Sequence, residues 1–259
     1  MRVIIKKTPQ DAARTVADQI EAVVRGAGES GATLGLATGS SPVLSYTELI
    51  RRHREEGLSF AGTRVFMLDE YVGLDADHPQ SYARFIREHL TDHIDIEDSA
   101  VQSPRGDAED PVAEAARYDA AIGAADGVDL QLLGIGTDGH IAFNEPGSSL
   151  ASRTRVKVLL EQTIEDNARF FDKKEDVPVH VLTQGIGTIL EARRIVLTAT
   201  GSNKAEAIAQ CVEGSVSSRW TGSALQMHPD VVLVIDDEAA AKLELADYYR
   251  FSEEHQLKR

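Results

Sequence analysis

Short β-branched apolar runs alternate along the chain with longer segments whose apolar residues recur at helical spacing, the pattern of repeated βαβ units. Val3-Ile4-Ile5 reads as a first strand. Thr8-Pro9-Gln10-Asp11 then supplies an N-cap, a first-turn proline and an acidic third position, which predicts a helix over 9–25. Further strands are expected over 33–37, 64–68, 128–135, 155–160, 194–200 and 231–235. Helices are expected over 43–56, 82–90, 111–124, 163–170, 183–192, 204–212 and 237–248. No linker-like break interrupts the series, so the expectation is an α/β fold: one open, largely parallel sheet with helices on both faces, spanning 1–259 as a single domain. Ligands of such sheets gather beyond the carboxyl ends of the strands. The loops after Ala37, Leu68, Ile135 and Thr200 are therefore where chemistry is expected.

Composition narrows the function classes. With 259 residues, 42% of them hydrophobic, the chain is long enough to bury roughly three quarters of its unfolded surface. The lone Cys211 excludes an intramolecular disulfide framework and any cysteine-built metal site, and suits a reducing cytoplasm. The apolar run at the N-terminus is too short for a signal peptide, and no stretch approaches ~18 consecutive apolar residues, so neither secretion nor a membrane partner is expected. The formal charge is −15, with 27 Lys and Arg against 42 Asp and Glu. Arg51-Arg52-His53-Arg54 and the region from Arg153 to Lys157 are the only compact basic clusters, so a nucleic-acid partner is not expected. A small anion held by a few converging donors remains compatible with this charge.

Thr38-Gly39-Ser40-Ser41-Pro42 follows an apolar strand and precedes a helix. Free N–H groups and hydroxyls at such a helix start form an anion cradle, although Ser41 acting as an ordinary N-cap explains the proline equally well. The Walker A spacing and lysine are absent. In Leu68-Asp69-Glu70-Tyr71, two carboxylates follow a strand. On extended backbone their side chains point to opposite sides, so only one of the pair is expected to enter a given pocket.

Gly134-Ile-Gly-Thr-Asp-Gly-His-Ile-Ala-Phe-Asn-Glu-Pro146 formally matches G-x-G-x-x-G. Pro146 and Gly147 interrupt the helix that a dinucleotide site requires, and no carboxylate occupies Ser152 to Val158 where the ribose contact belongs. What remains is Asp138, His140 and Glu145 within eight residues. Two carboxylates beside an imidazole fix its tautomer and raise its pKa, suiting it to proton transfer near neutral pH. The same side chains could serve a metal, but no second histidine or third carboxylate nearby completes a site, so no metal is expected. His89 and His93 lack the glutamate of H-E-x-x-H and read as surface residues.

Leu36-Ala-Thr-Gly-Ser-Ser-Pro42, Leu68-Asp-Glu-Tyr-Val-Gly-Leu74, the 136–146 segment and Ser148-Ser-Leu-Ala-Ser-Arg-Thr-Arg155 together resemble the glucosamine-6-phosphate deaminase family. The likeness runs on through Gly201-Ser-Asn-Lys204, Ser218-Arg-Trp-Thr221 and Leu225-Gln-Met-His228-Pro229. It implies the Rossmann-like fold shared with 6-phosphogluconolactonases. It also implies hydrolytic deamination with isomerisation of glucosamine 6-phosphate to fructose 6-phosphate and ammonium, without a cofactor. Asp69 is then the base at C2, and His140, held by Asp138 and Glu145, opens the sugar ring. Thr38, Gly39, Ser40, Ser41, Arg169 and Lys204 receive the phosphate.

The family contains hexamers activated by N-acetylglucosamine 6-phosphate as well as unregulated members. Ser148, Arg155, Lys157 and Tyr248 match its effector positions, so a homo-oligomer with this effector is one expectation. Val158 departs from the threonine of regulated relatives, and Glu244 and Asp247 add negative charge near the C-terminus. The alternatives to the deaminase are a lactonase-like sugar-phosphate hydrolase, which needs no base aimed at C2, and a silent sugar-phosphate sensor, which needs no acid–base residues.

Overall fold

The computed structural model describes residues 1–257. The chain runs through β1 (Arg2–Lys6), α1 (Pro9–Ala27), β2 (Thr33–Leu36), α2 (Ser40–Glu56), β3 (Arg64–Met67) and a short β4 (Asp69–Tyr71). It continues with α3 (Tyr82–His89), β5 (Val101–Gln102), α4 (Pro111–Ala124), β6 (Leu130–Leu133), β7 (Arg155–Val158) and α5 (Glu161–Asn167). β8 (His180–Thr183), α6 (Ile186–Ile189), β9 (Arg194–Ala199), α7 (Ala205–Val212), β10 (Val231–Asp236) and α8 (Ala246–Glu254) complete it.

Seven strands form one sheet in the order β1-β10-β9-β6-β2-β3-β5, with every pairing parallel. β2, β3 and β5 build outward to one edge, and β6, β9 and β10 build to the other. The direction of winding reverses between β2 and β6, which is where a doubly wound sheet opens a crevice. Neighbouring residues alternate between two apolar layers, with Ile4, Leu132, Val196 and Val232 on one face and Val3, Leu133, Leu197 and Leu233 on the other. Burial on both faces explains why these strands read as continuous apolar runs. The helices start as the sequence requires. The Thr8 hydroxyl accepts the Asp11 N–H ahead of α1, and the Asp110 carboxylate accepts those of Val112 and Ala113 ahead of α4.

Several elements depart from expectation. The strand expected over 155–160 does not extend the main sheet. It is β7, which with β4 and β8 forms a separate antiparallel sheet ordered β4-β8-β7. The helix expected over 183–192 shrinks to α6, because His180–Thr183 pairs with both β4 and β7 and Gly185 packs its backbone against the Ser152 carbonyl, where a Cβ would lie 2.1 Å away. The helix expected over 237–248 starts only at Ala246. Before it, the Asp236 carboxylate takes the Ala239 N–H and holds that stretch as turns with Ala239 and Ala240 in the core. β4 and β5, with three and two residues, are too short to carry a readable periodicity.

Three arginines of the basic clusters are neutralised by nearby acids. Arg51 pairs with Glu48, Glu55 and Glu56, Arg52 with Asp18, Glu21 and Glu48, and Arg153 with Asp119 and Glu191. Among the described residues, no helix is long and apolar enough to cross a membrane.

Candidate active site

The crevice between β2 and β6 opens into a cavity of about 440 Å³. Its walls are the loop 37–41 after β2, Leu68 and Asp69 after β3, the loop 134–143 after β6, and Asn203 and Lys204 after β9. Residues 162–171 and the stretch from Pro79 to Phe85 complete the enclosure. All four loops singled out in the sequence therefore meet at one place.

α2 begins at Ser40, three residues earlier than expected, with Gly39 as its N-cap at φ 89°, a conformation that favours glycine. No side chain caps this helix, so Ser41 is not the cap that the alternative reading required. Thr38, Gly39, Ser40 and Ser41 line the cavity at an uncapped helix N-terminus, where N–H groups and the helix dipole favour an anion. Lys204 reaches the same cavity, its Nζ donating to the Ile135 carbonyl at 2.7 Å. Burial lowers its pKa, Arg169 adds to that, and Asp138 and Asp166 oppose it. Arg169 is exposed on the cavity rim with its guanidinium 4.7 Å from the centre of the Phe170 ring.

β4 separates the acid pair by alternation. Asp69 and Tyr71 face the cavity, whereas Glu70 points to the other side of the strand. Asp69 is 5% exposed, and burial first and the charge of Glu70 second push it up to about 8, against the pull of His140. A carboxyl tuned in this way is a competent base near neutral pH.

The 134–146 loop gathers the second set. His140 Nδ1 lies 2.7 Å from Asp138 Oδ1 and 3.5 Å from Glu145 Oε2. The shorter contact is too bent to be a linear hydrogen bond, so it is a charge contact. Burial alone would depress the imidazole, but Asp138 and Glu145 outweigh it and lift His140 to about 9. Burial likewise opposes charge on both carboxylates, yet His140 holds each below its ordinary value. Glu145 does not touch the cavity; it stands behind His140, its Oε1 accepting the Thr163 hydroxyl at 2.7 Å and the Leu160 N–H at 3.3 Å. Gly136 makes room for the pair, since a Cβ there would lie 2.5 Å from His140 Cε1 and 2.7 Å from Asp138 Oδ1. One ligand atom from each of Asp138, His140 and Glu145 lies within 4.8 Å of the others, a set that could meet at a cation. An imidazolium between the two carboxylates already offsets one of their two charges without a metal.

Asp69, Asp138 and His140 thus share one cavity with Thr38, Gly39, Ser40, Ser41, Arg169 and Lys204. The four expected effector residues do not gather in the same way. Ser148 is buried, its hydroxyl donating to the Glu145 carbonyl, and Arg155 donates to Asn144 Oδ1. Lys157 lies beside Arg155 on the small sheet, whereas Tyr248 is exposed on α8, which packs on β1. Sequence reading missed the aromatic wall. Tyr82 stacks on Phe143 at 6.1 Å and 5°, and Tyr71 sits beside both, its hydroxyl accepting from Asn167. The single forewarning was the concentration of aromatics at 71, 82, 85 and 143 in a chain only 5% aromatic.

The family model described as glucosamine-6-phosphate isomerases/6-phosphogluconolactonase matches residues 6–233. A glucosamine-6-phosphate deaminase of Rhodococcus jostii (strain RHA1) is 58% identical over 255 residues, covering 98% of this chain and 97% of the relative. One of Mycolicibacterium smegmatis is 54% identical over 251 residues, covering 96% and 95%. Among solved structures, a monomeric glucosamine-6-phosphate deaminase superposes with a TM-score of 0.91 at 42% identity, covering 93% of this chain and all of that one. A 6-phosphogluconolactonase from Trypanosoma brucei gives 0.71 at 25% identity, covering 93% and 98%. The chain belongs to the glucosamine-6-phosphate isomerase/6-phosphogluconolactonase family.

Proposed function

We propose that this protein converts glucosamine 6-phosphate and water to fructose 6-phosphate and ammonium, with the cavity at the β2–β6 crevice as its active site. The observation that carries this reading is the buried Asp69 carboxyl, tuned to about 8, in one cavity with a protonated His140 and an uncapped helix N-terminus. Thr38, Gly39, Ser40 and Ser41 would receive the phosphate, with Lys204 and Arg169 offsetting its charge. His140 would deliver a proton to the ring oxygen, Asp138 and Glu145 stabilising its charged form. Loss of the anomeric hydroxyl proton leaves a carbonyl at C1, and Asp69 would then take the C2 proton that this carbonyl makes acidic while O1 is protonated to give an enolamine; a proton returned to C1 leaves an iminium at C2. Water adds to that carbon, and the nitrogen departs as ammonium. A lactone hydrolase would have no use for a base at C2, so Asp69 separates the two readings. The cavity draws on chain positions from 37 to 204, which supports treating the chain as one functional unit. A cytoplasmic setting fits the phosphorylated substrate and the buried, reduced Cys211.

The test is ammonium and fructose 6-phosphate release from glucosamine 6-phosphate, with 6-phosphogluconolactone hydrolysis in parallel. Stoichiometric release of both products, lost in Asp69→Asn, is expected; lactone turnover without ammonium would overturn the reading. Regulation is a second part of the proposal: a homo-oligomer in which N-acetylglucosamine 6-phosphate acts through Ser148, Arg155, Lys157 and Tyr248. Its support is that Ser148 and Arg155 bond to Glu145 and Asn144, adjoining the histidine's carboxylate partner. A sigmoidal rate curve that the effector makes hyperbolic is expected. A hyperbolic curve throughout, from a protein sedimenting as a monomer like the solved relative, would reject this part alone.

A further inference from the structure

We propose that Glu70 is a positioning residue for the C2 proton transfer, locking the strand that carries Asp69 to the helix that carries the aromatic wall and setting the charge behind the base. The side chain is 1% exposed and points away from the cavity into a second, smaller hollow. Its Oε1 accepts the N–H of Tyr71 at 2.9 Å and of Tyr82 at 3.0 Å, while Oε2 accepts that of Ala83 at 3.0 Å. Tyr82 and Ala83 are the first two residues of α3, whose N–H groups have no acceptor within the helix. The Ser81 hydroxyl takes the next one, from Arg84, so Glu70 and Ser81 divide the helix N-terminus between them. Through these bonds β4 and α3 move as one body, and with them Asp69 on one side and Tyr82, stacked on Phe143, on the other.

Only a carboxylate satisfies all three donors. A glutamine oxygen would serve Tyr71 and Tyr82, but its amide nitrogen would face the Ala83 N–H, donor against donor. Among the described residues no cation pairs with the Glu70 carboxylate. The two arginines around the hollow are engaged elsewhere, Arg87 with Asp77 and the Ala76 carbonyl, and Arg105 with Glu114. Asp98 and Asp107 are the other charged groups of that wall. On the cavity side, Asp69 faces His140, and the phenols near it, Tyr71, Tyr82 and Tyr118, stay neutral because burial raises each of them. Burial pushes Glu70 up while the three N–H groups favour its ionised form, and the negative charge they hold stands behind the base and raises it.

This inference rests on the deaminase reading. Its test is the pH dependence of kcat/KM for ammonium release by Glu70→Gln, Glu70→Asp and Ser81→Ala. Glu70→Gln is expected to move the acid limb down by about one pH unit and to lower the plateau of kcat, with KM changed less than kcat, because removing a like charge makes Asp69 a weaker base. Glu70→Asp keeps the charge but falls short of α3, so kcat falls while the limb stays near that of the unmodified enzyme. Ser81→Ala loosens α3 without touching the charge and leaves the limb in place. An unmoved limb in Glu70→Gln, or an equal displacement in Ser81→Ala, would overturn the proposal. If Glu70→Gln fails to fold, a Glu70→Asp enzyme with undiminished kcat overturns it instead. Absence of ammonium release from the unmodified enzyme would instead strike the deaminase reading itself.

Discussion

The cavity is bordered by two acid clusters whose carboxyls are driven in opposite directions. On β4, Asp69 and Glu70 sit back to back with no ion-pair partner among the described residues, and both carboxyls rise, Asp69 to about 8 against the pull of His140 and Glu70 to about 7. On the 134–146 loop, Asp138 and Glu145 flank an imidazole, and both carboxylates fall while His140 climbs to about 9. A proton acceptor therefore arises in one place and a proton donor in the other. The deciding quantity is the sign of the nearest neighbour's charge.

The largest effect is expected from Asp69→Asn, which removes the acceptor and leaves the donor intact. Loss of a general base lowers kcat by roughly 10³-fold, measured as ammonium release. Stability should move the other way. An aspartate whose folded pKa is raised from an ordinary ~4 to about 8 weakens the fold progressively as pH climbs between those values, because the unfolded chain releases its proton first. The asparagine variant should melt at a higher temperature than the unmodified protein, by roughly 1–3 kcal/mol at pH 8.5, with little difference at pH 4.5. A pH-independent gain would mean that burial is not what raises Asp69.

His140→Gln breaks the other cluster, with an expected loss of roughly 10²-fold in kcat. Here the sign of the contribution reverses while the slope does not. A histidine raised to about 9 contributes stability that is complete below its ordinary ~6.5 and disappears as pH rises through 9. The glutamine variant should thus be most destabilised near pH 6 and nearly level with the unmodified protein at pH 9.5. Relative to the unmodified protein both difference curves should rise with pH, the asparagine variant's from level to more stable and the glutamine variant's from less stable to level, and two curves on the same side of the unmodified protein would erase the distinction between the clusters.

The two regions also differ in how far the sequence discloses them. Asp138, His140 and Glu145 lie within eight residues, so their meeting is a local event that spacing reveals. That Asp69 and Glu70 take opposite sides of the strand follows from period-two alternation as well, while the choice of Asp69 as the one in the cavity came from the family resemblance. What pairs with Glu70 does not, because its donors lie 12 and 13 residues downstream on a helix whose position depends on tertiary packing. Thr163, which fixes Glu145 from 18 residues away, is hidden for the same reason. The parallel strands other than the two-residue β5 were legible because burial on both faces makes them largely apolar. The small sheet was not, because β4 is only three residues long and β8 shares its apolar spacing with the turn of helix that follows.

Lys204→Ala asks whether the cation beside the donor cluster serves substrate binding alone. A charge-assisted contact to phosphate contributes roughly 2 kcal/mol, so KM should rise about 30-fold while kcat changes little. The Asp69 acid limb in the pH profile should stay where it is, because Lys204 is not among the groups that act on that carboxyl. An unchanged KM would remove Lys204 from the phosphate site.

Gly136→Ala gives the finest separation of the clusters, because it changes neither charge nor any acid–base group. The added methyl would lie 2.5 Å from His140 Cε1 and 2.7 Å from Asp138 Oδ1, closer than real Cβ atoms approach their neighbours, so the imidazole and the carboxylate must move apart. Weakening that contact removes part of what raises His140, and the basic limb of the rate profile should shift to lower pH. kcat should fall by roughly 10-fold, the size expected for a donor displaced rather than deleted. Asp69 stands on β4, outside the distorted loop, so its acid limb should stay fixed. Movement of the basic limb alone would establish that the clusters titrate independently, whereas movement of both would mean that the charge of His140 reaches Asp69 strongly enough to join them into one unit.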